Sequence, residues 1–286
     1  MRMKINPVIE KELKTTMRGW RAPLLVSFYL GFLLLVIYLY FLANDQMYTY
    51  GYQSFNPRVA INAFNTLALF QLFLLLFITP VLTGGAISSE RERQTLDLLL
   101  CTSFPTYKIV LGKIFVSIAN ILLLIAASLP IMGIVFVFGG VGISNLILLF
   151  FFYVITALML GSLGIFYSTI FKKTIVAIVM TYLTIGFFTI GTYIIMGIYY
   201  LIFQRFSSSP DYYQLIAFLT TNPLFGFGSV IENTATNNSV FGALVSLATA
   251  DKSNIIIKAW MINLTFDVLF SALLIYLSSW KLKPVK

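Results

Sequence analysis

The sequence predicts an all-α integral membrane protein with six transmembrane helices. Its residues are 59% hydrophobic and only 10% charged, where soluble domains carry about 25% charged residues. The few charges are gathered into short segments between apolar blocks, and each block is long enough to cross a bilayer as a helix of about 20 residues. The segments between the blocks are too short for a further folded domain, so residues 1–286 read as one transmembrane unit.

The elements follow in order. Asn6 can cap a helix that has Pro7 at its first position. Ile9, Leu13 and Met17 then form an i, i+4, i+8 stripe beside Glu10, Lys11, Lys14 and Arg18, which suits a helix over 6–21 lying in the membrane interface. Span 1 covers 23–43. It has the length of a full span and lacks a small-residue cleavage site, so it is expected to be a retained helix and not a signal peptide. Span 2 covers 61–83, with Pro80 near its end as a candidate kink. The chain from Ile114 to Phe171 has no charge and is too long for one helix. Gly139-Gly140-Val141-Gly142 divides it into span 3 (111–137, with Pro130 inside) and span 4 (145–169). Span 5 covers 174–202 and contains Gly186, Gly191 and Gly197; span 6 covers 256–280.

Residues 204–254 remain between spans 5 and 6. Tyr212 to Ile231 is free of charge, but it includes Gln214, Thr220-Thr221-Asn222-Pro223, Gly226 and Gly228. It is expected to form short amphipathic or re-entrant helices in an outer cap, not a seventh span. Six spans put both termini on one side, and the positive-inside rule makes that side cytoplasmic. The cytoplasmic segments then hold the basic residues of the N-terminus, of 91–113, of Lys172-Lys173 and of the C-terminus, leaving only Arg58, Arg205, Lys252 and Lys258 of the 19 outside. The net charge of +9 is thus a topology signal and calls for no nucleic acid. Trp20 and Trp280 fall at the inner interface and Trp260 at the outer one, where aromatic rings anchor helices.

The segment between spans 2 and 3 is the most specific local signal. Ile87-Ser88-Ser89-Glu90-Arg91-Glu92-Arg93-Gln94-Thr95-Leu96-Asp97 is strongly charged between two uncharged blocks. Ser88 or Ser89 can cap a helix over 88–104 that carries Glu90 and Glu92 in its first turn, where the helix dipole favours acids. Leu96, Leu99 and Leu100 would form its apolar face, with Arg93 and Asp97 as an i, i+4 pair, and Pro105 would end it. A surface of this kind suits a soluble partner.

Inside the membrane, Asp267 stands midway along span 6. A carboxylate there costs roughly 2.5–3.5 kcal/mol and marks a functional candidate, with Asn120 and Asn263 as possible polar partners. Ala157 and Gly161, with Gly164 one turn on, allow close helix approach in span 4, either within one subunit or between copies. The absence of histidine and the single Cys101 leave metal, thiol and disulfide chemistry without residues, and no paired carboxylates lie in the membrane for acid–base catalysis. No metal site is expected.

These motifs resemble the permease subunit of ABC exporters of the ABC-2 type. Asn6-Pro7 with Glu10, Lys11, Leu13 and Arg18 is similar to that family's amphipathic connecting helix. The run from Ile87 to Leu100, followed by Pro105 and Ile109-Val110-Leu111-Gly112-Lys113, resembles the segment in which the family places the coupling helix that docks into its ATPase. Many members have Gly where this chain has Gln94, a departure compatible with a continuous helix. The six-span layout and the large region before span 6 match as well.

The resemblance implies ATPase-coupling roles for Ser89, Glu90, Arg91, Glu92, Arg93, Thr95, Leu96, Leu99 and Leu100. It also implies motion of spans 1, 2 and 5 between inward- and outward-open forms. The chain lacks the G-x-x-x-x-G-K-[ST] phosphate loop, since Tyr107 stands where Gly112-Lys113 would need a glycine. The chain is therefore expected to be no enzyme, to carry no cofactor itself, and to depend on MgATP bound to a separate ATPase subunit. A second copy or a paralogue would complete the transporter. A wall of Leu, Ile, Phe and Tyr suits a hydrophobic or amphipathic cargo such as a toxin or antimicrobial peptide. Usage rich in Lys, Ile and Asn points to a bacterial plasma membrane. Asp267, Asn120 and Asn263 are the translocation-path candidates, and two alternatives stay open: an ion-coupled secondary transporter using Asp267, and a non-transporting sensor or immunity protein.

Overall fold

The computed structural model describes residues 19–43, 57–96, 106–137, 142–205, 219–231 and 259–282. In chain order its helices are α1 (Arg21–Ala43), α2 (Pro57–Thr83), the short α3 (Ser88–Glu92), α4 (Thr106–Val137), α5 (Ile143–Ile170), α6 (Thr174–Gly186), a π-turn (Phe187–Gly191), α7 (Thr192–Arg205), the short α8 (Pro223–Ile231) and α9 (Ala259–Lys281). No strand occurs among the described residues. Among the described residues, six helices are long and apolar enough to cross a membrane: α1, α2, α4, α5, the continuous α6–π–α7, and α9. They correspond to the six expected spans within a few residues at each end. The chain is an all-α, multi-pass membrane protein. The expected interfacial helix over 6–21 lies almost wholly outside the described residues.

These segments are helical because a long apolar backbone must satisfy its own N–H and carbonyl groups in lipid. α5 is the centre of the bundle: α9 packs most extensively on it, and α2, α4 and α6 surround it. Exposed Leu24, Phe28, Tyr38 and Leu42 on α1, and Ile175, Leu183, Phe187 and Ile190 on the fifth span, form the faces a bilayer would cover. Polar groups inside the bundle are tied locally: Gln71 Nε2 donates to Ser128 Oγ at 2.8 Å, and the Tyr153 hydroxyl donates to the Ala68 carbonyl at 2.7 Å.

Helices do not associate in lipid through the hydrophobic effect, so close packing at small residues carries the association. The stripe Ala157, Gly161 and Gly164 is buried within this chain against the end of α2. A Cβ on Gly164 would overlap Thr83, reaching within 2.8 Å of its Cβ, and one on Gly84 would come within 2.7 Å of Ile178. The end of α2 is thus wedged between α5 and α6. Pro80 interrupts the α2 hydrogen-bond ladder just before this point, and the nearby Phe77 carbonyl accepts a hydrogen bond from the Tyr182 hydroxyl of α6.

α4 ends at Val137 and α5 begins at Ile143, with Gly142 extended ahead of it; Gly139 and Gly140 of the expected turn lie outside the described residues. The region before span 6 is more deeply placed than a surface loop. All nine residues of α8 are buried, and its Phe227 ring stacks on Tyr153 and tilts against Phe152 of α5. Phe152 lies about 14 Å along α5 from its start at Ile143. α8 is apolar on every side, with no amphipathic face. The rest of the expected cap, 206–218 and 232–258, lies outside the described residues.

Gly164→Ala is expected to destabilise the protein by about 1–3 kcal/mol through overpacking against Thr83. Thermal unfolding of the purified chain in detergent checks it, and an unchanged melting temperature contradicts the wedge.

Candidate functional site

The end of α2, the α3 turn and the junction of α5 with α6 form one hub. Its base is apolar: Ile87 and Leu96 are buried with Val110 and Ile114 of α4, Ile165 of α5 and Leu282 beyond α9. Its polar layer is held by Ser168 of α5, whose Oγ accepts from the backbone N–H groups of Ile87 and Ser88, both at 2.8 Å. One hydroxyl therefore satisfies two donors that the bend at Gly84–Ile87 frees.

The next three residues each grip a different span. Glu90 forms an ion pair with Lys113 Nζ of α4, and both side chains are largely shielded. Arg91 lies against the last turn of α5, donating from Nη2 to the Thr169 carbonyl at 3.1 Å and from Nη1 to the Phe171 carbonyl at 3.4 Å. Glu92 lies against the first turn of α6, accepting from the Thr174 backbone N–H at 2.8 Å and from its hydroxyl at 2.9 Å. A cation thus meets the negative end of one helix dipole and a carboxylate the positive end of the next. The Glu92 carboxyl is held below the ordinary carboxylate range, chiefly by these two Thr174 hydrogen bonds and also by nearby Lys173.

The expected single helix over 88–104 is corrected here. α3 ends at Glu92, because Gln94 adopts a left-handed conformation with φ 59°. The N–H of Thr95 returns to the Glu90 carbonyl at 2.9 Å and that of Gln94 to the Arg91 carbonyl at 3.1 Å. This is a Schellman C-cap, whose left-handed position favours glycine. The Gly-to-Gln departure at 94 therefore sits at the one backbone position where it matters.

Ser88 and Ser89 are not side-chain caps either. Their hydroxyls donate back to the carbonyls of Gly84 and Gly85, and Ile87 is the N-cap with no side-chain bond. Leu96 turns into the apolar base and is not part of an outward face. The exposed rim consists of Glu92, Arg93, Gln94 and Thr95. Asp97, Leu99 and Leu100 lie outside the described residues, as do Glu10, Lys11, Leu13 and Arg18.

A second polar cluster lies towards the other end of the bundle. Asn222 is fully buried; its Oδ1 accepts from the Leu224 N–H at 2.8 Å, starting α8. Its Nδ2 donates to the Thr189 carbonyl at 2.9 Å and to Thr192 Oγ1 at 2.8 Å, both in the fifth span. Thr189 belongs to the π-turn, a feature frequent at functional sites. Asn263 Nδ2 donates to the Thr220 carbonyl at 2.6 Å, and a Cβ on Gly226 would overlap Asn263 Oδ1. Asn263 and Asp267 are both fully buried on one face of α9, about 12 Å along it from Ala259 in the case of Asp267. Asp267 makes no hydrogen bond to either expected partner: Asn120 is half-buried on α4, and Asn263 is engaged with the Thr220–Asn222 turn.

Sequence reasoning missed Ser168, Thr174, Asn222 and Thr189. Only Asn222-Pro223 carried a local signal, an Asx residue before a proline at a helix start. Gly186 and Gly191 do bracket the π-turn.

The model of the ABC-2 family transporter proteins matches residues 6–220. The chain belongs to the ABC-2 transporter family. The match takes in spans 1 to 5 and the α3 hub apart from Leu282, and it stops two residues before Asn222. Among curated proteins, none matches the chain. The ABC-2 assignment makes this chain the membrane-transport component, and both the α3 turn and the π-turn lie inside the matched region.

Two outcomes are expected. Gln94→Gly stabilises the chain by about 0.5–1 kcal/mol and Gln94→Val destabilises it by about 1–2 kcal/mol in thermal unfolding, because a left-handed backbone is costly for a residue with a Cβ. The Glu92 contact is fully present above the ordinary carboxylate value and is lost as pH falls through the lowered value. The hydrogen-exchange protection factor of the Thr174 amide should therefore fall on acidification, and Glu92→Ala should remove that pH dependence.

Proposed function

We propose that this ABC-2 permease is one half of an ATP-driven exporter, and that the rim Arg93–Thr95 receives the push of a separate ATPase subunit that binds MgATP. One observation carries the reading: the successive side chains of Glu90, Arg91 and Glu92 bind α4, α5 and α6, while the rim beside them is exposed. A force on the rim is delivered to three spans through short polar contacts. The ATPase-coupling residues then divide into two sets. Arg93 and Thr95 face the partner, whereas Ser89, Glu90, Arg91, Glu92 and Leu96 transmit the displacement inward. The wedge of Gly84 between α5 and α6 adds a mechanical link from span 2 to span 5.

The cargo that suits this bundle is hydrophobic or amphipathic, such as a peptide toxin or antimicrobial peptide, because the spans offer Leu, Ile and Phe and almost no charge. A second copy or a paralogue supplies the other wall of the path. In this reading the membrane is a bacterial plasma membrane, with both termini and the α3 hub cytoplasmic by the positive-inside rule.

A mild-detergent pull-down from native membranes tests the proposal. The wild-type chain should bring down a nucleotide-binding polypeptide in stoichiometric amount, with ATPase activity. Arg93→Glu with Thr95→Glu should lose that partner while the chain keeps its fold. Arg91→Ala with Glu92→Ala should keep the partner and the hydrolysis but lower export at least tenfold. Purification of the wild-type chain alone, without ATPase activity, rules the proposal out.

A further inference from the structure

Asp267 is fully buried, and among the described residues neither carboxyl oxygen has a hydrogen-bond partner. Asn263 lies one turn earlier on the same face. Its Nδ2 donates to the carbonyls of Thr220 and Asn222, at 2.6 and 3.4 Å. Two acceptors on one side require the nitrogen to face them. Oδ1 therefore points away, lies against Gly226, and has no donor. Three oxygens one helical turn apart thus find no hydrogen-bond donor among the described residues.

No cation among the described residues serves them. Among the described residues, the charged or titratable groups on the elements packed against α9 are Tyr107, Lys108 and Lys113 of α4 and Tyr153 and Tyr167 of α5; α8 and the π-turn have none. Lys113 holds Glu90, Lys108 and Tyr107 are exposed, Tyr153 donates to the Ala68 carbonyl, and the Tyr167 hydroxyl bonds Thr184 Oγ1. On α9 itself, Tyr276 and Lys281 are exposed farther along the helix. A hard metal ion collects about six oxygens or more, twice what this site leaves unfilled.

We propose that Asp267 and Asn263 form a buried proton-binding site, in which the Asp267 carboxyl takes a proton from water and donates its O–H to Asn263 Oδ1. One proton then satisfies two of the three orphan oxygens. The bond formed is O–H on the carboxyl, the bond broken is O–H of hydronium, and release reverses both. The proton fastens α9 to the residue that holds the turn Thr220–Asn222. Asn222 in turn holds the π-turn carbonyl of Thr189, so the state of this carboxyl is linked to the shape of the fifth span. The inference rests on this chain's own geometry and does not pass through ATPase docking.

Infrared spectroscopy of the purified full chain at neutral pH tests it. The wild type should show the C=O stretch of a protonated carboxylic acid, shifted in D2O, absent in Asp267→Asn and displaced in Asn263→Ser. In thermal unfolding, Asp267→Asn, which keeps a donor towards Asn263 Oδ1, should melt near the wild type, and Asp267→Ala well below it. The wild-type melting temperature should fall as pH is raised through the alkaline range, and that of Asp267→Asn should not follow. A wild type without the carboxylic band overturns the proposal. Stabilisation of the wild type by sodium chloride but not by potassium chloride, absent in Asp267→Asn, also overturns it, because the site then binds a metal cation.

Discussion

A backbone N–H or carbonyl inside a bilayer has no water to turn to, and this constraint governs where the bundle departs from regular helix. The chain leaves that path at the bend after α2, at the junction of α5 with α6, at the π-turn, and at the turn into α8. At each place, side chains replace the missing backbone partners. Ser168 takes two N–H groups at the bend. Arg91 and Glu92 serve the carbonyls and the N–H group on the two sides of the α5–α6 junction. Asn222 joins the π-turn to the start of α8 with a single amide group. Ser168, Arg91, Glu92 and Asn222 thus serve the irregular backbone of this apolar chain, and the α3 hub coincides with it.

The spans were legible because bilayer thickness and residue hydropathy act on whole segments, whatever packs beside them. The buried character of α8 was less so. Its sequence, Pro223–Ile231, is apolar on all sides, which marks burial, but its length matches no span, and only contact with α5 and α9 defines its depth. The α3 segment was readable as an interruption with a soluble-facing edge. Its internal structure was not, because the end of the helix is set by one φ angle at Gln94, and glutamine carries no general signal for a left-handed backbone. The directions of Glu90, Arg91 and Glu92 were equally hidden. Glu90 pairs with Lys113, 23 residues on, whereas Thr169, Phe171 and Thr174, the partners of Arg91 and Glu92, lie about 80 residues away in the chain, and no local pattern announces such pairing.

The two polar sites differ in how far their charges are compensated. The hub matches Glu90 with an opposite charge, Arg91 with a pair of carbonyls and Glu92 with a helix terminus. Its cohesion therefore survives contact with water at the rim. The Asn263–Asp267 site has acceptors in excess and is sealed by Gly226 and its neighbours. Burial of an unpaired carboxylate is among the more costly arrangements in a protein interior. Such a site tolerates few substitutions, and its polar neighbours bear on the same turn that opens into α8.

The pairing of α3 with distant spans has a consequence for biosynthesis. Glu90 meets Lys113 only 23 residues later in the chain, whereas Arg91 and Glu92 wait for Thr169 to Thr174. At about 5–20 residues per second, the interval between those two events is on the order of several seconds. During it, span 3 is already fastened to the turn while the neighbouring arginine and glutamate stand open at the membrane surface. Assembly of the bundle is therefore ordered by three adjacent side chains, and the arrival of the α5–α6 junction closes the structure that the first ion pair began.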